Sequence, residues 1–394
     1  MKVLSISCGR SDVGILTPVW RALSAEAGID LHVLFTGAHA SDDAAGRAAL
    51  PQGAVGHTAG ADMAGAGGAE AGASMAAIVG ASSELAACLV PDRALVIGDR
   101  LDMMAAALGL VPANIPIIHL HGGELSYGAV DDRLRHAITK LSHLHCAATV
   151  DAAMRIAGLG EEPWRISVTG APGLDSLQAV DEMSVAEFAA AVGLPGRERL
   201  RLVTVHPETN CADPLGAARE TLEALARVPG PTVITAPNAD PGAVEIRSMI
   251  EQHVDGRDDT VFHEALGGAL YANALRSAAI MVGNSSSGIV EAGLFGLPVI
   301  NVGGRQDGRQ RGSHVMDCAA AADAVADALN ALPPRSAPSM LYGDGQAAPR
   351  IAAAVTAPHD AGRLLRKTFS EHATAAFQAP WADCGETPKM AMTR

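Results

Sequence analysis

The sequence predicts an α/β protein made of two Rossmann-like domains with a cleft between them, an arrangement of the glycosyltransferase-B type. Three observations carry the expectation. Short β-branched runs alternate with longer helical patterns, the signature of parallel sheets covered by helices. These runs form two groups of similar size, parted near the turn Gly170-Ala171-Pro172-Gly173. The chain has 394 residues, more than one ordinary core organises.

In order, the strand candidates of the first group are 2–7, 31–35, 94–97, 117–121, 146–150 and 166–169. Those of the second are 202–206, 232–236, 260–263, 279–282 and 299–302. Helical patterns lie between them, for example at 131–141, 217–226 and 321–332. The expected division is 1–178 for the first domain, 179–360 for the second and 361–394 for a last helix and tail, the tail beyond 380 having no periodicity. Segment 53–80 is dominated by Gly and Ala. It reads either as a mobile lid or as a helix of weak sequence.

Hydrophobic residues make up 48% of the chain and aromatics 3%, so the cores must be built from Ala, Val, Leu and Ile. The apolar runs are short and broken by Gly, Asp or His, below the roughly 18–20 residues of a membrane span. The N-terminus reads as a buried strand rather than a signal peptide. A soluble, cytoplasmic protein without a membrane partner is expected. A net charge of −14 argues against nucleic acid. With only four lysines, any phosphate clamp must use Arg or backbone N–H groups. Six cysteines without a C-x-x-C pair read as reduced, mostly buried thiols.

Ligands of open α/β sheets gather at the carboxyl ends of strands. The first strand ends in Cys8-Gly9-Arg10-Ser11-Asp12-Val13-Gly14, which places Arg10 where an anion could meet a helix N-terminus. The third ends in Gly98-Asp99-Arg100, where the acid is a helix cap or an active-site carboxylate. The next ends in His119-Leu120-His121-Gly122-Gly123-Glu124. Strand alternation would put both His on one face, yet no third and fourth ligand follow, so no metal is expected. Glu124 falls on an exposed loop at the sheet edge. Asp131, Asp132, Arg135 and His136 form i,i+4 pairs, which are usually surface salt bridges. Here they directly follow a polar strand end.

In the second half, His206 stands at a strand terminus and Asn238 lies in the turn 235–242. The sharpest signal is Gly283-Asn284-Ser285-Ser286-Ser287-Gly288-Ile289-Val290-Glu291. A strand running into hydroxyl residues and a helix makes an anion cradle from N–H and O–H groups. Glu291, one turn on, could accept two ribose hydroxyls; the plainer alternative is a capping box. Arg305, Arg309 and Arg311 share one loop, a phosphate contact or a solvated segment.

Taken together and in order, C-G-R-S-D-V-G, G-D-R, H-x-H-G-G-E, D-D-x-x-R-H-A-I-T-K, G-A-P-G-L-D, H-P-E-T, P-N-A-D-P-G, G-N-S-S-S-G-I-V-E-A and G-x-R-Q-x-G-R resemble the hydrolysing UDP-N-acetylglucosamine 2-epimerases of sialic and legionaminic acid biosynthesis. The likeness runs from about residue 1 to about 330. It implies the glycosyltransferase-B fold, UDP gripped by the C-terminal half, and a C-terminal helix packed back onto the first domain. It implies no cofactor, and a UDP-sugar partner: UDP-N-acetylglucosamine or a 2,4-diacetamido-trideoxy analogue. A homodimer or homotetramer is expected. By position, Arg10, Arg135, His206, Ser286, Ser287 and Glu291 match nucleotide- and phosphate-contacting residues, with Asn238, Ser285 and Gly288 beside them. Asp99 and Asp131 match acids with proposed catalytic roles; Glu124 and His121 complete that cluster. Asp132, Arg305 and Arg309 are assigned to sugar or phosphate.

There are departures. Some relatives carry an acid where this chain has His121, and L-G-R-L-R-Y is altered here to Leu266-Gly267-Gly268-Ala269-Leu270-Tyr271. His206-Pro207-Glu208-Thr209 differs from the His-Arg-Arg-Glu of non-hydrolysing relatives and favours the hydrolysing branch. The implied chemistry removes the C2 proton while UDP leaves C1, giving a glycal; water then adds to C1 and a proton returns to C2 from the other face. Rival readings are a glycosyltransferase on the same fold, a non-hydrolysing epimerase and a non-catalytic sugar-nucleotide sensor.

Overall fold

A computed structural model describes residues 1–63, 68–238, 240–371 and 377–381. The first sheet holds β1 (Lys2–Ser7), β2 (Asp30–Phe35), β3 (Val55–Thr58), β4 (Arg93–Ile97), β5 (Ile117–Leu120), β6 (Leu144–Ala147) and β7 (Ile166–Val168). The second holds β8 (Arg201–Thr204), β9 (Thr232–Thr235), β10 (Thr260–His263), β11 (Ile280–Gly283), β12 (Val299–Val302) and β13 (Val315–Cys318). The strand orders are β3-β2-β1-β4-β5-β6-β7 and β10-β9-β8-β11-β12-β13, and the pairings within both sheets are parallel. Each order reverses beside its first strand, between β1 and β4 and between β8 and β11. That reversal opens a crevice at the carboxyl ends. The two crevices face each other.

The central strands are apolar because helices cover both faces; β4 is buried throughout. β3 and β13, half-exposed edge strands, were not foreseen. Several strand ends shift by one to three residues: β5 stops at Leu120 rather than 121, β6 runs Leu144–Ala147 rather than 146–150, and β8 ends at Thr204 rather than 206.

Helix Gly68–Leu89 follows β3, so the described part of segment 53–80 is mainly strand and helix, joined by an irregular stretch at 59–63; residues 64–67 lie outside the described residues. This helix corrects the expectation that no apolar segment reaches spanning length. It has 22 residues, a mean hydropathy of 1.4 over its apolar window, and 17% of that window buried. Ala and Gly raise its hydropathy without forming a run of large apolar residues. It lies close against helix Leu101–Leu110, where a Cβ on Gly109 would stand 2.5 Å from the Val79 carbonyl oxygen.

The chain crosses back to the first core at helix Ala347–Thr356, whose Ile351 and Val355 pack with Leu16, Trp20 and Leu23. Pro358 ends the helical pattern there, and a short helix, Ala361–Leu365, follows. Arg165 then ties this segment down, donating to the carbonyls of Leu364 at 2.9 Å, Arg363 at 3.0 Å and Arg366 at 2.9 Å. Lys367 reaches the Lys140 carbonyl at 2.8 Å and Glu161 at 2.9 Å. Trp381 is buried against Ala152 and Ile156, so order extends past residue 380; 382–394 lie outside the described residues. Among the described cysteines, Cys8 and Cys146 are buried, Cys88 and Cys211 exposed and Cys318 between, fewer buried thiols than expected.

Candidate active site

The facing crevices enclose a cavity of about 100 Å³ lined from the first domain by Asp99, Arg100, Ser126, Asp131 and Arg135. The second domain contributes Asn238, Asp240, Ser286, Arg305, Gln306 and Arg309. Asp99 follows β4, whereas Glu124 and Asp131 lie beyond one irregular turn after β5. His121 has a left-handed backbone, φ 61°, uncommon for a residue with a side chain. The turn breaks strand alternation, so His119 and His121 do not share a face as expected. Gly122 and Gly123 are needed beside it. A Cβ at Gly122 would stand 2.8 Å from His119 Nδ1, and one at Gly123 would stand 2.3 Å from the Ala152 carbonyl oxygen.

His119 is fully buried. Its Nε2 donates to the Gly98 carbonyl at 2.8 Å and its Nδ1 faces Thr139 at 3.1 Å. Burial depresses its pKa to about 3, so it is a neutral core histidine. Among the described residues no group of three or more His, Cys, Asp or Glu could hold a metal.

Glu124 is not on an exposed loop; it is 4% exposed. His121 Nδ1 lies 2.6 Å from its Oε1, and Arg309 Nη1 lies 3.2 Å from its Oε2. Burial raises its pKa, but Arg309, His121 and Arg135 outweigh that and hold the carboxyl at about 2. Arg135 is the hub of the first-domain side. It pairs with Asp99 and donates to Ser126 Oγ at 3.0 Å, to the Glu124 carbonyl at 2.9 Å and to Asp132 Oδ1 at 3.3 Å. Its terminal N–H groups are thus engaged within the chain, leaving it to act on a ligand mainly through charge. Asp99, although buried, is held below its ordinary pKa by that partner.

Asp131 differs. It opens helix Asp131–Leu141, with no cation paired to it among the described residues. Burial comes first, then the charges of Asp99 and Asp240, against Arg305 and Arg135, and together they raise its pKa to about 7. Like charges and desolvation both disfavour the carboxylate. In one cleft, therefore, Asp99 and Glu124 are held as anions while Asp131 titrates near neutrality.

On the second side, His206 is clamped by Asn284, which accepts from the His206 N–H at 2.7 Å and donates to its carbonyl at 3.0 Å. The Asn238 N–H donates to His206 Nδ1 at 3.0 Å. Burial, aided by Arg305, keeps the ring neutral. Arg305 is 7% exposed, and its Nη2 lies 3.5 Å from Asp240. Its Nε is buried without a hydrogen-bond partner among the described residues, as is Gln306 Oε1.

The serine segment forms a helix of only five residues, Ser286–Val290, capped by Ser285 Oγ, which accepts from the Ser287 N–H. The dipole of so short a helix is small. Ser287 Oγ donates to Glu291 and bonds Tyr271 OH. The side chains of Ser287, Glu291 and Tyr271 thus form one network, and burial raises the Glu291 pKa. Gly288 is buried behind Ser287, where a Cβ would stand 2.9 Å from Val299. Arg10 is exposed at the start of helix Arg10–Ala25, and the turn before it is already occupied: the Cys8 N–H donates to Asp12 Oδ2 at 2.7 Å.

Sequence reasoning missed Arg100, Asp240, Gln306, Tyr271 and Asn284 as parts of this region. Asp240 and Tyr271 stood within motifs already singled out. Arg100, Gln306 and Asn284 stood within such motifs too, and Gln306 and Asn284 carry no charge to draw notice.

A family model for UDP-N-acetylglucosamine 2-epimerase matches residues 21–356. The UDP-N,N'-diacetylbacillosamine 2-epimerase (hydrolyzing) of Legionella pneumophila is 32% identical over 357 residues, covering 89% of this chain and 94% of that protein. Among solved structures, the UDP-GlcNAc 2-epimerase of Neisseria meningitidis bound to UDP-GlcNAc superposes with a TM-score of 0.75 at 18% identity, covering 90% and 99% of the two chains. The Methanocaldococcus jannaschii UDP-GlcNAc 2-epimerase with UDP-GlcNAc and UDP gives 0.72 at 18% identity, again covering 90% and 99%.

Proposed function

Because the chain belongs to the UDP-N-acetylglucosamine 2-epimerase family, we propose that it is a hydrolysing 2-epimerase, converting a UDP-2-acetamido sugar and water into the free manno sugar and UDP. The observation that carries this reading is the contrast between acids in one cleft: Asp131 titrating near 7 beside Asp99 and Glu124 held ionised. Groups of divergent pKa at one site are what acid–base chemistry at neutral pH needs.

In the reaction a base takes the C2 proton as the C1–O bond breaks, its electron pair leaving with UDP and a C1=C2 double bond forming. Water then adds its oxygen to C1, and a proton is delivered to C2 from the opposite face. Asp131 and His121 handle these protons, His121 being oriented through Nδ1 by Glu124. Asp99, fixed by Arg135, orients the sugar. Arg305 and the neutral His206 meet the departing diphosphate, whose charge must be stabilised in the transition state. Ser286, Ser287 and Glu291 hold the nucleoside end.

The experiment is incubation with UDP-N-acetylglucosamine and, separately, with UDP-N,N'-diacetylbacillosamine, the substrate in the Legionella relative's name, with no acceptor present. Free manno sugar and UDP from either supports the reading. An intact UDP-manno sugar means a non-hydrolysing epimerase, and no turnover of either means a transferase or a binding protein.

A further inference from the structure

The two domains do not merely face each other; the second grips the segment that carries the first domain's acids. Residues 124–131 run from Glu124 to Asp131. Along this stretch the Tyr127 N–H donates to the Asp307 carbonyl at 2.9 Å, and Asn210 Nδ2 donates to the Tyr127 carbonyl at 2.9 Å. Gly128 lies so close to the second domain that a Cβ there would stand 2.4 Å from the Gly304 carbonyl oxygen. Arg309 crosses to Glu124 at 3.2 Å, with side chains 10% and 5% exposed. Asp240, anchored by Arg305, lines the same cavity as Asp131. That cavity, at about 100 Å³, is smaller than the roughly 300 Å³ at which ligand pockets begin. A sugar nucleotide can enter only if these contacts part.

We infer that Arg309 and Asp240 are positioning residues through which the second domain, on closing, sets the Glu124–His121 pair and Asp131 to opposite proton-transfer roles. Neither residue needs to touch the reacting carbon. The inference rests on the epimerase reading for its chemistry, but the geometry is independent of it.

The charges around each acid bear this out. Asp131 faces Asp99 and Arg135 from its own domain, and Asp240 and Arg305 from the other. Glu124 faces His121 and Arg135 from its own domain and Arg309 from the other; Asp99 and the Tyr342 hydroxyl lie within its field. Opening removes Asp240 and Arg309 together. Asp131 is then relieved of burial and of a like charge, which outweigh the loss of Arg305, and its pKa falls, while Glu124 loses Arg309, its main counter-charge. The contrast between the two acids is thus set by contacts that exist only in the closed cleft, the water-poor state in which C2 deprotonation can occur.

The test combines pH profiles of kcat/KM with 13C NMR titration of the Asp and Glu side-chain carboxyls in the full-length protein. In Asp240→Asn the ionisation near 7 should move down by about one unit or more, and Asp240→Glu should hold it near 7. In Arg309→Gln the Glu124 carboxyl should titrate at least about one unit higher, and Arg309→Lys should restore it. Folded Asp240→Asn and Arg309→Gln with wild-type titrations, losing only in KM, would overturn the inference. If the wild type turns over neither UDP-sugar, the activity reading fails while the carboxyl titrations still decide this one.

Discussion

His206 Nδ1 accepts the backbone N–H of Asn238 at 3.0 Å, which leaves the ring's single proton on Nε2. Burial, with Arg305 beside the ring, keeps it from gaining a second. His206 is therefore a neutral donor fixed in one tautomer, suited to a phosphate oxygen and unsuited to be a base.

It follows that UDP affinity should show no His206 ionisation between pH 6 and 8. Calorimetry should find that His206→Phe weakens UDP by about 1–3 kcal/mol, the scale of a hydrogen bond to a charged group, and that His206→Gln recovers part of it. Equal losses in both would deny the donor role.

Asp131 gives a second, signed prediction. Its folded pKa of about 7 lies above its ordinary value, so the folded state holds a proton that the unfolded state has released. The strain of the carboxylate is fully present above about 7 and vanishes as pH falls toward the unfolded value of about 3.9. Asp131→Asn should therefore be more stable than wild type at pH 8, by roughly 1–3 kcal/mol, with the difference shrinking toward pH 4. Its turnover should drop by about 10²-fold or more. Thermal melts across pH, with rates on the same samples, check both halves.

Glu161 runs the other way. It is 1% exposed, bonded to Lys140, His145 and Lys367, and its pKa is lowered to about 2 despite burial. Its contribution is present above the unfolded value near 4.3 and lost as pH falls through about 2. Glu161→Gln should destabilise by about 3–5 kcal/mol at pH 7, because Lys367 and Lys140 lose their shared anion, and by less near pH 3. Denaturant titrations at the two pH values would show this, and a flat difference would contradict it.

The Ser287–Glu291–Tyr271 network predicts graded losses of UDP affinity. Ser287→Ala with Glu291→Ala should cost about 2–4 kcal/mol, and Tyr271→Phe about 1 kcal/mol, since the phenol only orients the serine. Unchanged binding in the double variant would remove the nucleoside assignment.

The central strands were legible because burial on both faces forces continuous apolar runs. β3 and β13 were not, since an edge strand such as Val55-Gly56-His57-Thr58 is half in water and needs no such run. Motif order located Asp99, Glu124, Asp131, Arg305 and Arg309 near strand ends, where the cavity is. It could not show that Arg309 meets Glu124 or that Asp240 shares a cavity with Asp131, because those relations depend on how the domains face each other. Nor could it show that Glu124 is buried. Alternation placed His121 with His119, and only the left-handed turn at His121 reverses that. Segment 53–80 leaves lid and weak helix undecided in the sequence because Ala and Gly support a helix without marking a buried face.

The most direct measurement of the central claim follows isotopes through one early turnover. In deuterated water the released sugar should carry deuterium at C2 in the manno configuration, because the C2 proton is lost and replaced from solvent. In oxygen-18 water the label should appear at C1 of the sugar and be absent from UDP, because the C1–O bond is the one that breaks. Mass spectrometry and proton NMR on early product read both. Free sugar with protium at C2 and gluco configuration, or an intact UDP-sugar with exchanged C2, would contradict a hydrolysing epimerase.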